Sequence, residues 1–400
     1  MCWDLASTIE LLGLRTQQAR VLTIGSIVFG LALHVGITPA DATDDVRGDD
    51  ASWPMFHGDA QLSGVAASAL PEQLAVRWKF EAPDAILTSA AIVDGVVYVG
   101  CADEHFYALD LTDGSVKWKY RAEGMVQSSP LVMGQLVLFG DEVGVLHAVD
   151  RINGRKKWSF QTEGQLTSSP NGHADRIVVG SYDAHVYCLA RDTGKLIWKY
   201  QTDGYLHGSP AIGQGHVLAA GCDEKLHVVR MTDGQAVRTI PLHSVTGASP
   251  AISGSRAYVG SYGGIVLAID WQAGKVLWTF DDPETEFPYM TCAAVTGERI
   301  IVAGRDRRMR SLDPATGKSQ WDFVAKGRID SSPVIVGERV FVGSDDGNLY
   351  SVHLRTGKEL WRFETGAPIT VSPAIASGCL VIGNDDGVVY CFSKARTTGS

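Results

Sequence analysis

The stretch "SSPLVMGQLVLFGDEVGVLHAVDRINGRKKW", residues 128–158, contains the unit that decides the fold. Two short apolar runs are separated by a Gly-flanked turn, and a third run ends in Asp before a second turn and a Trp. Short β-rich runs split by such turns are typical of antiparallel hairpins. Nearly the same pattern returns about every 40 residues along the chain. The sequence is therefore a repeat, and each unit predicts four strands.

Several columns of residues keep one register through eight units, which predicts an all-β, eight-bladed β-propeller of four-stranded antiparallel blades. The first column is Trp78, Trp118, Trp158, Trp198, Trp278, Trp321 and Trp361, with Arg238 at the missing step, and we expect it to dock each blade on the next. A second column is mostly Ser and is followed by Pro in most units, and further columns hold an Asp and the Gly of a turn. The Ser column is Ser89, Ser129, Ser169, Ser209, Ser249, Cys292, Ser332 and Ser372.

The two ends of the repeat region predict how the ring closes. The last unit stops after its third strand, in "VVYCFSKARTTGS" (residues 388–400), whereas "LAVRWKF" (residues 74–80) matches a fourth strand and carries Trp78. The N-terminal strand should therefore complete blade eight and hide its open edge. This divides the chain into an N-terminal extension (43–73), the propeller (74–395) and a C-terminal tail (396–400), after residues 1–42.

Residues 1–42 have the pattern of a secretory signal peptide. Arg15 and Arg20 precede an apolar run from residue 21 to 37, and Ala40 and Ala42 form a small-residue cleavage site. We expect cleavage near Ala42, with a retained anchor as the alternative. We then expect the mature chain to be periplasmic or secreted, or to lie peripherally on a membrane. It would have no integral membrane span.

The composition of the chain limits the kinds of partner and ligand that we expect. The formal net charge of the 400 residues is −10, which argues against nucleic-acid binding. The six cysteines after the signal are scattered, and no zinc-type spacing of Cys or His occurs. We expect buried thiols and no metal site, and we expect a monomer. The disulfide state stays open.

The repeat resembles the PQQ-type, or quinoprotein-like, propeller repeat "A-x-D-x-x-T-G-x-x-x-W". Here it reads "ALDLTDGSVKW" (108–118), "AIDWQAGKVLW" (268–278) and "SLDPATGKSQW" (311–321). The opening "SWPMFHGDAQLSGV" (52–65) is also similar to a segment that often precedes such repeats in secreted bacterial proteins. The resemblance covers residues 52–395. It implies the propeller fold, and it spans quinone-dependent dehydrogenases, the outer-membrane assembly factor BamB and propellers that bind no quinone.

Site residues should differ between blades, because residues repeated in every blade build the blades. The position two residues before the Ser column varies, and we expect its side chains to ring the mouth of the central channel. The candidates for binding a small polar ligand there are Gln127, Thr167, His207, Asp330 and Thr370. A solvated rim without a ligand is the alternative.

Blade six breaks the pattern with a three-residue insertion. Its approach loop "DDPETEFPYM" (281–290) is acidic and aromatic, and the nearby hairpin "RDRRMR" (305–310) is basic. The two loops either pair as surface ions or form a docking patch for a partner. The residues of that patch would be Phe287, Tyr289, Arg305, Arg307, Arg308 and Arg310.

No catalytic motif was found, and no catalytic residue is assigned. The resemblance ties quinone-dependent alcohol dehydrogenases to an adjacent Cys pair and to long inserted loops with calcium ligands, and this sequence has neither. We therefore expect a noncatalytic scaffold, similar to BamB, that binds a protein or peptide partner of the cell envelope without a cofactor. The alternatives are a dehydrogenase for an alcohol or sugar with PQQ and calcium, and a small-ligand sensor or carrier that uses the channel mouth.

Overall fold

The computed structural model of the chain describes residues 49–282 and 287–394. The predicted signal peptide (1–42) and the tail (396–400) lie outside these ranges. Within them the regular elements are β-strands, arranged as eight four-stranded antiparallel sheets. No helix of the described ranges is long and apolar enough to span a membrane. The prediction of an eight-bladed propeller is confirmed.

Seven blades use four consecutive strands each, in the order of the sequence. Blades one to four are β2 (Ala91–Val93), β3 (Val96–Gly100), β4 (His105–Asp110) and β5 (Val116–Arg121); β6 (Leu131–Met133), β7 (Leu136–Gly140), β8 (Val145–Asp150) and β9 (Lys156–Gln161); β10 (Asn171–His173), β11 (Arg176–Ser181), β12 (His185–Ala190) and β13 (Leu196–Gln201); and β14 (Ala211–Gly213), β15 (His216–Ala220), β16 (Lys225–Arg230) and β17 (Ala236–Pro241). Blades five to seven are β18 (Ala251–Ser253), β19 (Arg256–Gly260), β20 (Ile265–Asp270) and β21 (Lys275–Asp281); β22 (Ala294–Val295), β23 (Ile300–Ala303), β24 (Arg308–Leu312) and β25 (Ser319–Val324); and β26 (Val334–Val336), β27 (Arg339–Gly343), β28 (Asn348–His353) and β29 (Glu359–Glu364).

Blade eight joins the two ends of the propeller. It consists of β30 (Ala374–Ala376), β31 (Cys379–Gly383), β32 (Val388–Lys394) and, as its outer strand, β1 (Leu74–Glu81). β1 pairs antiparallel with β32, and Trp78 lies opposite Cys391. The predicted closure by the N-terminal strand is therefore confirmed. Because the outer edge of the last blade is supplied from the start of the chain, the ring cannot open without breaking this ladder.

The Trp column joins neighbouring blades through a repeated contact. Six of its indoles donate a hydrogen bond from Nε1 to a carbonyl in the turn between the third and fourth strands of the next blade. The pairs, at 2.8–3.1 Å, are Trp78–Leu111, Trp118–Arg151, Trp158–Arg191, Trp198–Met231, Trp278–Pro314 and Trp321–Leu354. The turn needs Gly for two reasons: Gly114 has φ +77°, and a Cβ on it would lie 2.7 Å from the Trp78 ring. Trp361 instead packs edge-on against Phe392 of blade eight.

Residues 50–66, here named the plug segment, run across the inner strands of the blades. Every blade donates a hydrogen bond to one of its carbonyls. The donors in blades one to eight are the amides of Ile92 and Val132, the Asn171 side chain, and the amides of Ile212, Ile252, Val295, Ile335 and Ser377, at 2.7–2.8 Å. The sequence predicted only an extension here. The structure shows that this extension is a part of the ring.

The plug segment is held by burial as well as by hydrogen bonds. Trp53 and Leu62 are fully buried, and a Cβ on Gly58 would lie 2.6 Å from the Trp53 ring. The ring nitrogens of buried His57 lie 2.7 Å from the Leu62 carbonyl and 3.1 Å from the Pro333 carbonyl of blade seven. Because burial outweighs these bonds, the pKa of His57 is lowered. A neutral ring can donate to only one of the two carbonyls.

Candidate functional site

The Ser column forms a ring of hydrogen bonds around the channel axis. In each link, a backbone N–H donates a hydrogen bond to the Ser hydroxyl of the next blade. The links, at 2.8–3.0 Å, are Ser89–Ser129, Ser129–Ser169, Ser169–Ser209, Ser209–Ser249, Cys292–Ser332, Ser332–Ser372 and Ser372–Ser89. The link from Ser249 to Cys292 is missing in the described structure. The Ser column thus joins neighbouring blades.

The varying position ends in one cavity of about 360 Å³ inside this ring. All eight of its members line the cavity: Leu87, Gln127, Thr167, His207, Gly247, Met290, Asp330 and Thr370. Phe56 of the plug segment and the Ser column also contribute to the lining. Along each inner strand, the mouth residue comes first, the Ser follows, and the contact to the plug segment comes last. The cavity is therefore open at the mouth and closed by Phe56 at its floor.

His207 is the polar centre of one side of the mouth. Its Nδ1 lies 2.6 Å from the Tyr182 hydroxyl and 3.5 Å from Thr167 Oγ1. The ring faces the channel, and the surrounding protein and then the charge of Arg305 lower its pKa. At neutral pH the imidazole is consequently neutral, with Nδ1 accepting from Tyr182 and the proton on Nε2. Tyr182 in turn stacks on exposed Tyr205.

The opposite side of the mouth carries a bidentate ion pair. Arg305 donates from Nε and Nη2 to the two carboxylate oxygens of Asp330, at 2.8 and 3.0 Å. Both side chains are half-buried. A planar guanidinium held in this way is fixed in position, and its charge is largely compensated. Arg305, predicted as part of a blade-six patch, thus belongs to the channel mouth.

Two further carboxylates lie behind this pair. Asp345 contacts Arg328, and Asp385 accepts a hydrogen bond of 2.9 Å from Thr370 Oγ1. Burial raises the pKa of both carboxyls, and each lies close enough to the other or to Asp330 to add to the rise. The mouth is therefore polar on both sides, with its charged groups bonded to one another.

The remaining blade-six candidates do not form one exposed patch. Tyr289 is 2% exposed and Arg310 is 1% exposed, so the expectation that they present side chains to a partner is wrong. Arg310 forms ion pairs of 2.6 Å with Asp282 and with Asp306, and its guanidinium lies over the Tyr289 ring. The pairing of the acidic and basic loops is real but buried. Residues 283–286 lie outside the described ranges.

Only part of the predicted patch is at the surface. Phe287 is 55% exposed, Arg307 is exposed with φ +67°, and Arg308 lies 3.4 Å from Asp322. Phe287 precedes the mouth residue Met290 in the approach loop, so it belongs to the rim of the channel mouth. Arg307 and Arg308 remain candidates for a partner contact.

The Asp column is bonded within its own hairpin, and it also bonds to an aromatic residue or a His four residues later. Asp183 accepts from the His185 amide at 3.1 Å and from the Tyr187 hydroxyl at 2.8 Å. In blade six the same step joins Asp306 to Arg310, which explains why this Arg is buried. In blade four Asp223 pairs with His227 at 2.7 Å.

These Asp–His pairs have the look of a catalytic relay, but they are structural. His147 lies between Asp141 at 2.8 Å and Tyr120 of the preceding blade at 3.1 Å, and both the His and the Asp are fully buried. A substrate cannot reach them. Among residues 49–282 and 287–394, no three metal-ligating side chains come close enough together to hold a metal ion.

Eight four-stranded blades, a Trp that docks each blade on a Gly turn and a closing N-terminal strand define the quinoprotein-like β-propeller class. The sequence profile described as outer membrane protein assembly factor BamB matches residues 67–169, 142–281 and 282–399. The chain therefore belongs to the BamB family. No curated protein sequence matches it.

Solved structures of different activities share the fold. BamB from Moraxella catarrhalis has a TM-score of 0.69 at 18% identity, over 82% of this chain and 100% of that one. The computationally designed Ika8 protein has a TM-score of 0.71 at 17% identity, over 80% and 99%. The quinohemoprotein alcohol dehydrogenase from Comamonas testosteroni has a TM-score of 0.71 at 14% identity, over 88% and 82%. Such low identities show the fold alone.

Proposed function

We propose that this protein is an exported, noncatalytic β-propeller that binds a protein or peptide partner of the cell envelope at the open end of its channel. The observation that carries the proposal is the difference between the mouth and its rim. The charged groups inside the mouth are bonded to one another, whereas the rim exposes large apolar side chains. A rim of this kind offers contact area, and a compensated mouth offers hydrogen bonds.

The exposed apolar residues of the rim come from different blades. Val143 is 49% exposed in the hairpin of blade two, Tyr205 is 51% exposed in front of blade four, and Phe287 is 55% exposed in front of blade six. The approach loops and hairpins share this face, because Cys222 of a hairpin donates its amide to the Tyr205 carbonyl. Aromatic side chains that are exposed at a polar rim are favoured anchors for a protein partner.

The mouth does not fit an anionic quinone held with calcium. Such a cofactor needs cationic side chains that are free to pair with it and a set of carboxylate or carbonyl ligands for the metal. Arg305 is the cation among the lining residues, and two of its three nitrogens, Nε and Nη2, already donate to Asp330. The neutral pKa-lowered His207 adds no charge. These residues favour the scaffold over the PQQ-dependent dehydrogenase.

Export is supported by the sequence of residues 1–42, which lie outside the described ranges, and by membership in the BamB family. The BamB of Moraxella catarrhalis shares the fold, and the family description places it in outer-membrane assembly. We propose the periplasm as the compartment. N-terminal sequencing of the protein from native cells should begin near residue 43, and a start within residues 1–20 would contradict cleavage and favour the retained anchor.

Photo-cross-linking in native cells tests the proposed binding face. A photoreactive amino acid would replace Tyr205 or Phe287 on the rim, and Ile152, which is 67% exposed in a turn at the periphery, serves as the matched control. The same cross-linked protein should appear from both rim positions and not from Ile152. Equal cross-linking from all three positions, or none from the rim, would argue against a partner at the mouth.

The dehydrogenase alternative has its own test. Purified protein would be mixed with PQQ and calcium, and dye-linked oxidation of primary alcohols and of glucose would be followed. No oxidation above that of the heat-denatured protein is expected. Turnover that is lost in Asp330→Asn would contradict the proposed scaffold and support the dehydrogenase. PQQ binding without turnover would support the small-ligand carrier.

A further inference from the structure

Two cysteines of blade eight lie next to each other at the seam where the ring closes. Cys391 of β32 pairs with Val381 of β31, and Cys379 precedes Val381 by two residues on the same strand. Side chains two residues apart share one face of a sheet, so the two thiols are diagonal neighbours on that face. They hydrogen-bond to each other, and both are free thiols.

A cation is fixed beside one of these thiols. The pairing of β1 with β32 shifts between Val76 and Trp78, which makes Arg77 the extra residue of a bulge. Its Nη1 lies 3.6 Å from Cys379 Sγ, and its Nε donates to the Thr112 carbonyl of blade one at 2.8 Å. The second bond favours this orientation of the guanidinium. The bulge therefore places a positive charge against Cys379.

The surroundings distinguish the two thiols chemically. The hydrogen bond from Cys391, and then Arg77, lower the pKa of Cys379 to about 6, whereas the pKa of Cys391 is raised by the same hydrogen bond and by burial. A thiol of this kind is largely thiolate at neutral pH, and thiolate is the reactive form. Its neighbour stays protonated until the first has reacted.

A cavity of about 450 Å³ reaches the thiolate from outside. Its lining includes Arg77 and Lys394 but no carboxylate; the other lining residues are Ala75, Val76, Ser377, Gly378, Cys379 and Ser393. Cys379 itself is only 1% exposed, which restricts access to small reagents. A small oxidant such as hydrogen peroxide fits this access, and a bulky alkylating reagent does not.

Blade three provides an internal comparison. Cys188 lies opposite Trp198, as Cys391 lies opposite Trp78. The first residue of its neighbouring strand is Arg176, at the position that Cys379 takes in blade eight. With no second thiol there, burial raises the pKa of Cys188 to about 12, although the Arg176 side chain beside it acts to lower it. A neighbouring Arg alone therefore does not make a cysteine at this register position reactive, and the second cysteine makes the difference.

We propose that Cys379 and Cys391 form a redox-active dithiol that hydroperoxides oxidise to a disulfide. The Cys379 thiolate attacks one peroxide oxygen, the O–O bond breaks, and Cys379 sulfenic acid and hydroxide form. The Cys391 sulfur then attacks Cys379 Sγ, the S–S bond forms, the S–O bond breaks, and water leaves with the Cys391 proton. The hydroxide takes up the proton that Cys379 released when it ionised, so in total the dithiol loses two electrons and two protons, and one hydrogen peroxide is reduced to two waters.

Intact-mass measurement after peroxide treatment of the folded protein tests this sequence of steps. Wild type should lose the mass of two hydrogens and, when it is unfolded after the peroxide has been removed, expose two fewer thiols to N-ethylmaleimide and take up no dimedone. Cys391→Ser should stop at the sulfenic acid and, when it is unfolded in the presence of dimedone, take up one dimedone at Cys379. Cys379→Ser should do neither, and Cys188→Ser should behave as wild type. Dimedone uptake by wild type, or oxidation that persists in Cys379→Ser, would overturn the proposal.

The role of the bulge Arg is tested by the rate. Arg77→Gln should slow peroxide oxidation at pH 7 by about tenfold and move the midpoint of the rate against pH upward from about 6, while Arg77→Lys should keep most of the rate. Circular dichroism of each variant verifies the fold. Equal rates and midpoints in wild type and Arg77→Gln would remove Arg77 from the site.

Discussion

The two ends of the channel are built on different principles. At the closed end, backbone carbonyls of the plug segment (residues 50–66) receive hydrogen bonds from all eight blades, and the side chains Trp53, Met55 and Leu62 are buried. At the open end, side chains that differ from blade to blade bond to one another in the channel mouth. The closed end therefore serves stability, and the open end is available for recognition.

This difference shows where specificity resides in a repeat protein. The seven links of the Ser ring and the six Trp contacts are nearly identical, so they hold the ring without marking any direction around it. The mouth residues, two positions before the Ser column, do differ: neutral His207 lies on one side and the Arg305–Asp330 pair on the other. A partner that docks at the rim meets an asymmetric surface on a symmetric frame.

The largest expected effect is at the closed end. Trp53→Ala removes a fully buried indole from beneath the blades and should lower the free energy of unfolding by about 3–5 kcal/mol. Phe287→Ala at the rim is the control and should change it by less than about 0.5 kcal/mol, since that side chain is exposed. Denaturant unfolding measures both. Equal losses would mean that the two ends do not differ in this way.

In the Ser ring, one substitution should lower the free energy of unfolding and another should raise it. Ser129→Ala leaves the buried Ser89 amide without its acceptor and should cost about 1–3 kcal/mol. Cys292→Ser supplies the hydroxyl at the missing link and should add about 0.5–1.5 kcal/mol. Thermal and denaturant unfolding of the two variants and the wild type check this. A destabilised Cys292→Ser would show that its contact with the Leu62 carbonyl matters more than ring closure.

Acid should weaken the closed end more than the open end. The folded-state pKa of His57 lies below the value of about 6.5 in an unfolded chain. The unfolded chain then takes up the proton first, so this stability is complete above pH 6.5 and is lost as the pH falls below it, by at most about 1.4 kcal/mol per pH unit. His57→Gln should flatten the decline between about pH 7 and pH 5, and His207→Gln should flatten it less because its ring meets water. The reverse order would contradict this assignment.

The smallest effect is expected at the mouth. Replacing both members of the half-buried ion pair, in Arg305→Gln/Asp330→Asn, should change the free energy of unfolding by less than about 1 kcal/mol. Asp330→Asn alone should cost more than the double variant, because it leaves the guanidinium uncompensated. A double-mutant cycle measures the coupling. A double variant that is less stable than Asp330→Asn would show that this ion pair stabilises the propeller.

The sequence predicts the features that are repeated along the chain. The number of blades, the docking of blades by Trp and closure by β1 follow from columns of residues that keep one register. The plug segment occurs once, so no column could reveal it; its signals are the apolar, Gly-containing run around Trp53 and the similarity of residues 52–65 to a segment that often precedes such repeats. The prediction that Arg310 lies at the surface is wrong because Arg310 pairs with Asp306, four residues before it, and so takes the place that Tyr187 takes after Asp183.

Hydrogen exchange at the inner strands tests the central claim that the plug segment closes one end of the ring. The amides of Val132, Ile212, Ile252 and Ile335 would be followed in the mature chain and in a chain that starts at residue 67. They should exchange as slowly as the blade cores in the mature chain and faster in the truncated one, with the mouth loops unchanged. Unchanged protection of these amides after truncation would contradict the claim.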